Sequence, residues 1–182
     1  MSSIKNSNNL IWLDLEMTGL DPETQVILEI GTVVTDGELN TLAEGPQFAL
    51  YQPPEILEKM EPWSKEHHGA SGLTQRCQES KVTLREAEEK TTEFLAQWCF
   101  EKKSPLCGNS IGQDRRFLVK YMPKLHDFFH YRNLDVSSIK ELVIRWYPEQ
   151  AYKDKKENRH QVMADIYESL AEIKHYRKTV FK

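Results

Sequence analysis

The stretch LIWLDLEM puts two acids, Asp14 and Glu16, one residue apart at the end of an apolar run. Side chains alternate across a strand, so over residues 10–16 both carboxylates point to one face, a few ångströms apart. Leu10 and Trp12 share that face, and Ile11, Leu13 and Leu15 take the other. Both faces begin apolar, as in a strand covered on two sides. The acids therefore emerge only at its C-terminal end, where open α/β sheets carry their ligand sites. Two adjacent carboxylates repel unless a cation lies between them or one stays protonated. Divalent-metal ligation is one reading of the pair; solvated polar positions on an edge strand are the other.

Two later segments add candidates. GNSIGQDRRF places Asp114 early in a helix, and RHQVMADIYESL places His160 and Asp165 around the start of another. On an ideal helix those two lie about 140° apart, so His160 is expected in the preceding loop or first turn, reaching over a site that Asp165 faces. Singly, each has a plainer role: Asp114 as a helix-start acid, Asp165 as a surface polar residue, His160 as a loop histidine. Together, Asp14, Glu16, Asp114 and Asp165 are hard oxygen donors of the kind that Mg²⁺ or Mn²⁺ prefers. Four carboxylates around two cations ~3.5–4 Å apart suit phosphodiester hydrolysis. A histidine titrating near neutrality suits the role of base for the attacking water.

The elements that must hold these groups are legible from periodicity. Residues 25–35 and 42–51 read as two further strands, joined by an Asp36-Gly37 hairpin signal. Glu29 within the second is expected as a paired or solvated edge acid. Residues 53–70, with Trp63, His67 and His68, are aromatic without clear periodicity, and such stretches often line sites. Thr83 and Glu86 have capping-box spacing ahead of an amphipathic helix to about residue 100. Residues 104–107 and 131–136 are short strands. Ser138 and Glu141 repeat the capping-box spacing for a helix to about residue 147. The polar loop PEQAYKDKKENR then leads to a last helix burying Val162, Met163, Ile166, Leu170 and Ile173. Three strands in a meander followed by helix, strand, helix, strand, helix, helix predict an α/β fold: a mixed five-stranded sheet with helices on both faces.

With 182 residues, 39% hydrophobic and 29% charged, the chain fits one globular domain rather than a disordered one. Residues 1–9 are expected as a flexible N-terminus and residues 10–182 as the domain. No apolar run reaches the ~18 residues of a membrane-spanning helix, and the N-terminus has no signal-peptide pattern. Cys77, Cys99 and Cys107 form neither an even disulfide set nor a zinc spacing, and are expected as buried or semi-buried thiols in a reducing cytoplasm. A formal charge of −4 argues against a long nucleic-acid track and leaves room for a short substrate. The basic clusters Arg115, Arg116, Lys120 and Lys153, Lys155, Lys156, Arg159 read as solvated helix face and loop.

DLEMTGLD, GNSIGQDRRF with YMP, FHYRNLDVS, and HQVMADI followed by ES resemble the oligoribonucleases of the DEDDh exonuclease superfamily, from about residue 10 to residue 182. The resemblance implies a ribonuclease-H-like fold, a homodimer and 3′→5′ hydrolysis of very short RNA, chiefly dinucleotides, to 5′-mononucleotides. It implies two divalent ions, Mg²⁺ or Mn²⁺, on Asp14, Glu16, Asp114 and Asp165, with His160 as base. It further implies Leu20 as a wedge between two bases, and Trp63 and His68 beside them. Ser110, Arg132, Ser137 and Ser138 are implied around the 5′ phosphate, with Tyr131 lent by the partner subunit. Ala164 stands where the family commonly has another acid, and Ser138 where threonine is common. The remaining alternatives are a proofreading exonuclease on DNA, which shares the acids and the histidine, and a binding module that keeps the fold without catalysis.

Overall fold

In the computed structural model, residues 5–153 and 161–181 are described. His160 and the second half of the polar loop, residues 154–159 with Lys155, Lys156 and Arg159, lie outside that set. Strand β1 (Leu10–Met17) pairs antiparallel with β2 (Ile27–Thr35) and parallel with β5 (Leu106–Gly108), which pairs parallel with β6 (Asn133–Asp135). On the far side of β2 lie β3 (Thr41–Glu44) and β4 (Phe48–Ala49), both antiparallel. Among the described residues the sheet thus has six strands rather than five. The expected third strand breaks at Gly45-Pro46, where the Gly45 amide donates to the Thr32 carbonyl at 2.8 Å and a Cβ on Gly45 would lie 2.2 Å from the Thr32 hydroxyl. Proline next to that close approach cannot continue the ladder.

Helices cover both faces. Ile11, Leu13 and Leu15 pack with Ala87 and Leu95 of α4 (Leu84–Trp98), Phe117 and Leu118 of α5 (Gly112–Tyr121), and Leu125 and Phe128 of α6 (Pro123–Phe128). Trp12, Val33 and Cys107 pack with Val143 of α7 (Val136–Trp146) and Ile166, Leu170, Ile173 and Tyr176 of α8 (Val162–Thr179). The aromatic stretch after β4 forms α1 (Pro54–Leu57) and α2 (Pro62–Ala70), followed by α3 (Leu73–Glu79). All three cysteines are free and buried. No described helix is long and apolar enough to cross a membrane. Residues 5–9 are tied to the end of α4, with the Lys5 ammonium donating to the Ala96 carbonyl at 2.8 Å and the Asn9 amide to the Trp98 carbonyl at 2.8 Å.

The two expected caps differ in outcome. Thr83 caps α4, its hydroxyl accepting from the Glu86 amide at 3.2 Å. Helix α7 instead starts at Val136, capped by Asp135, whose carboxylate accepts from the Ser137 amide at 3.0 Å. An acid that ends a strand can cap the next helix at once, so α7 begins earlier than the Ser138 spacing implied.

Candidate active site and metal centre

The acids sit where β1 outruns its parallel neighbour. Strand β5 pairs with β1 only at Ile11 and Trp12, so Asp14 and Glu16 lie beyond that pairing on the C-terminal side. They share the sheet face of Trp12, over which α8 packs. Gly31, opposite Asp14, leaves room for that helix: a Cβ there would lie 2.7 Å from a Val162 methyl. The close approach brings Asp165, in the first turn of α8, down to the strand. One carboxylate oxygen from each of Asp14, Glu16 and Asp165 lies within 4.8 Å of the other two.

Asp114 arrives from the opposite side. After β5 the chain turns through Ser110, at φ +49°, into α5. There the buried Asp114 carboxylate accepts from the Leu15 amide, between the two strand acids, at 2.9 Å. Burial raises the Asp114 pKa to about 7, against two backbone hydrogen bonds that lower it. Burial, then the charges of Asp165, Glu29 and Asp114, raise Glu16 to about 8, with Arg76 opposing. Asp14 is raised well above its usual range by burial and by the same ring of acids. Such crowding costs free energy that a cation offsets, and an all-oxygen donor set fits a hard divalent ion. Glu29, directly across from Glu16, is fully buried and paired, at 2.9 Å from the Arg76 guanidinium and 3.0 Å from the Gln47 amide.

A pocket of about 480 Å³ opens beside this cluster, lined by Asp14, Asp165, Trp63, Ser110 and Ser137 among others. Trp63 is 55% exposed and stacks on His67 at 3.9 Å between centroids. His68 is buried, Nε2 2.9 Å from the Met17 carbonyl and 3.9 Å from the Glu16 carboxylate. Leu20 is exposed, on a loop whose Leu20 carbonyl accepts from Gln113 of α5. The Ser110 and Ser137 hydroxyls are 3.0 Å apart, and the Ser138 hydroxyl donates to Asp135 at 3.4 Å. Tyr131 and Arg132 lie on the chain entering β6, both exposed, with Arg132 Nε donating to the Tyr131 hydroxyl at 3.1 Å. Neither lines the pocket that holds Asp14 and Asp165.

Several residues that hold this arrangement escape a reading of motifs. The Asp135 carboxylate accepts from the Ser110 amide at 3.0 Å as well as capping α7, which fixes Ser110 in its left-handed turn. Asn109 accepts from the Ser137 hydroxyl at 3.0 Å and donates to Ser169 and Glu172 of α8. Buried Glu172 also accepts from the Tyr176 hydroxyl at 2.7 Å and pairs with Lys140 at 3.2 Å. The acid before the VSS of α7 was a readable cap signal; the Asn109–Glu172 link joins residues 63 apart and leaves no local trace.

The exonuclease family model matches residues 11–173. An oligoribonuclease from Pseudomonas aeruginosa is 56% identical over 98% of this chain and 99% of its own length. One from Colwellia psychrerythraea is 57% identical over 97% and 98%. Among solved structures, the zinc-bound E. coli exonuclease I–ssDNA complex superposes with a TM-score of 0.74 at 16% identity, covering 96% of this chain and 41% of that one. Exonuclease I from Methylocaldum szegediense gives 0.72 at 16%, over 96% and 41%. The chain thus spans about two fifths of those exonuclease I chains, and at such identity the likeness speaks for the ribonuclease-H-like fold alone.

Proposed function

This chain belongs to the oligoribonuclease family of exonucleases, and from that premise we propose that residues 10–182 form one exonuclease domain cleaving chiefly 5′-phosphorylated dinucleotides. It is a 3′-to-5′ exoribonuclease for short RNA and depends on divalent metal. The observation that carries the reading is the trio Asp14, Glu16 and Asp165 within 4.8 Å, of which Asp14 and Asp165 open on the same pocket as Ser110 and Ser137.

Asp14, Glu16, Asp114 and Asp165 would hold two divalent ions, Mg²⁺ or Mn²⁺. Bound there, divalent cations lower the pKa of a water and stabilise the leaving oxygen. His160, which precedes α8 in sequence, would serve as the base for the attacking water. Trp63 offers an exposed ring for base stacking. Leu20 wedges between the two bases, and His68, lodged behind Glu16, supports the Trp63 side of the site. Ser110, Ser137, Ser138 and Arg132 receive the 5′ phosphate two nucleotides from the metals, so a third nucleotide meets that cap. With a net charge of −4, the chain has little basic surface with which to grip a longer backbone.

The working unit is a homodimer in which Tyr131 serves the partner's site. Leu142, Ile144, Trp146 and Tyr147, at the exposed C-terminal end of α7, support this as an apolar surface. A reducing cytoplasm suits the three free thiols. The test is the product pattern from 5′-phosphorylated RNAs of two to seven nucleotides and their DNA counterparts, with Mn²⁺ and with chelator. The reading expects fastest turnover of the RNA dinucleotide, released as mononucleotides. Undiminished hydrolysis in chelator, or preference for long DNA, overturns it.

A further inference from the structure

Arg115, next to Asp114, belongs to a cluster expected on a solvated helix face. It is half-buried instead, and most of its guanidinium contacts go to residues 130–133. Nε donates to the Asn133 side-chain oxygen at 2.8 Å, and Nη2 donates to the His130 carbonyl at 2.9 Å and the Arg132 carbonyl at 3.4 Å. Nη1 lies 3.4 Å from His126 Nε2. The acceptors bracket Tyr131 and Arg132 at the entry to β6, the last strand of the sheet. An adjoining pocket of about 600 Å³ is lined by Lys102, Arg115, His126 and His130 among others. It does not read as an anion site, because the donors of Arg115 are already committed to protein acceptors.

We infer that Arg115 is a positioning residue for recognition of the 5′ phosphate: it fixes residues 130–133 so that Arg132 is presented at the substrate's end. This rests on the reading of Arg132 as part of the phosphate cap. A rigid planar guanidinium reaches these acceptors from two separate nitrogens, Nε and Nη2, whereas a lysine ammonium carries all its donors on one atom and cannot reproduce that spacing. Position and charge are therefore separable. If Arg115 acted on the phosphate by charge alone, lysine would serve in its place.

The experiment measures Kd for pGG and for GG lacking its 5′ phosphate in the Arg115→Gln, Arg115→Lys and Arg132→Ala proteins. Mn²⁺ affinity and the kcat and KM for pGG are measured alongside. Arg132→Ala is expected to weaken pGG by about 10–100-fold. Both Arg115 variants should weaken pGG by about 5–30-fold while GG changes by less than about threefold. The loss should fall on KM more than kcat, with Mn²⁺ affinity retained. The Arg115→Gln/Arg132→Ala double variant should bind pGG no worse than Arg132→Ala alone, because both changes remove one interaction. If Arg115→Gln does not fold, Asn133→Ala, which removes one acceptor, should show the same selective loss at about 2–5-fold. The inference is overturned if Arg132→Ala loses pGG affinity while the Arg115 variants keep the parental preference for phosphate. It is equally overturned if Arg115→Lys restores binding, or if pGG, GG and Mn²⁺ affinities all fall together. An unchanged Arg132→Ala protein removes the cap reading itself, and the inference with it.

Discussion

At the residue scale the chemistry is a problem of like charges. Glu16 at about 8 and Asp114 at about 7 hold protons near neutrality in the metal-free protein. A cation must displace those protons, so Mn²⁺ affinity should rise with pH between about 6 and 9 and binding should release protons. Calorimetry in buffers of different ionisation enthalpy reads that release; a pH-independent affinity contradicts the crowding. Stability of the metal-free protein runs the other way with pH. A carboxyl whose folded pKa lies above its unfolded value contributes fully below the unfolded value and loses that contribution as pH rises through the folded one. Metal-free protein should accordingly melt at a lower temperature at pH 9 than at pH 6 if these acids dominate, and saturating Mn²⁺ should remove most of the difference. His160→Ala should cut kcat by ~10²–10⁴, the usual weight of a general base, with metal affinity retained. Asp165→Ala should lose metal affinity as well. Equal metal binding and equal kcat in the two variants would mean that their roles are misassigned.

At the element scale α5 and α7 organise the site. Helix α5 carries Asp114 to the strand, and its Gln113 donates to Leu20 while Lys120 and Tyr121 donate to the Pro22 carbonyl. Helix α7 is anchored by Asp135, which also restrains Ser110. Asp135→Ala should cost about 0.5–2 kcal/mol, as cap removals do, and also weaken binding of 5′-phosphorylated dinucleotide. Thr83→Ala removes the α4 cap at a similar cost but lies away from the pocket, so dinucleotide affinity should stay. Urea melts paired with binding curves check the contrast. If both variants affect binding alike, Asp135 acts through stability alone.

At the scale of the whole molecule the proposed dimer decides whether the site is complete. Trp146 is 65% exposed and Tyr131 74%, unusual for rings of that size unless something covers them. Trp146→Glu puts a charge into the proposed interface. It should shift sedimentation toward monomer and reduce dinucleotide turnover, while the isolated subunit keeps its Mn²⁺ affinity. A variant that stays dimeric, or a monomer with full activity, contradicts the shared site.

Local pattern was enough to assign the four acids to their strand and helices, because strand alternation and helix periodicity act over a few residues. It also marked β1, β2, the α4 cap and the buried face of α8. It likewise singled out His160, which lies outside the described residues, and the aromatic stretch with Trp63; the resemblance of motifs added the pocket-lining Ser110 and Ser137. Tertiary structure decided what depends on distant partners. The third strand split because Gly45 presses on Thr32, 13 residues back, and α7 started early because Asp135 was free to cap it. Arg115, expected in water, became half-buried because the 130–133 carbonyls lie within its reach. Asp114 reaches Leu15 across 99 residues, and no local rule carries that distance. Sequence periodicity assigns a side chain to a face; only the packing of faces determines which charges must share one small volume and which polar groups hold them there.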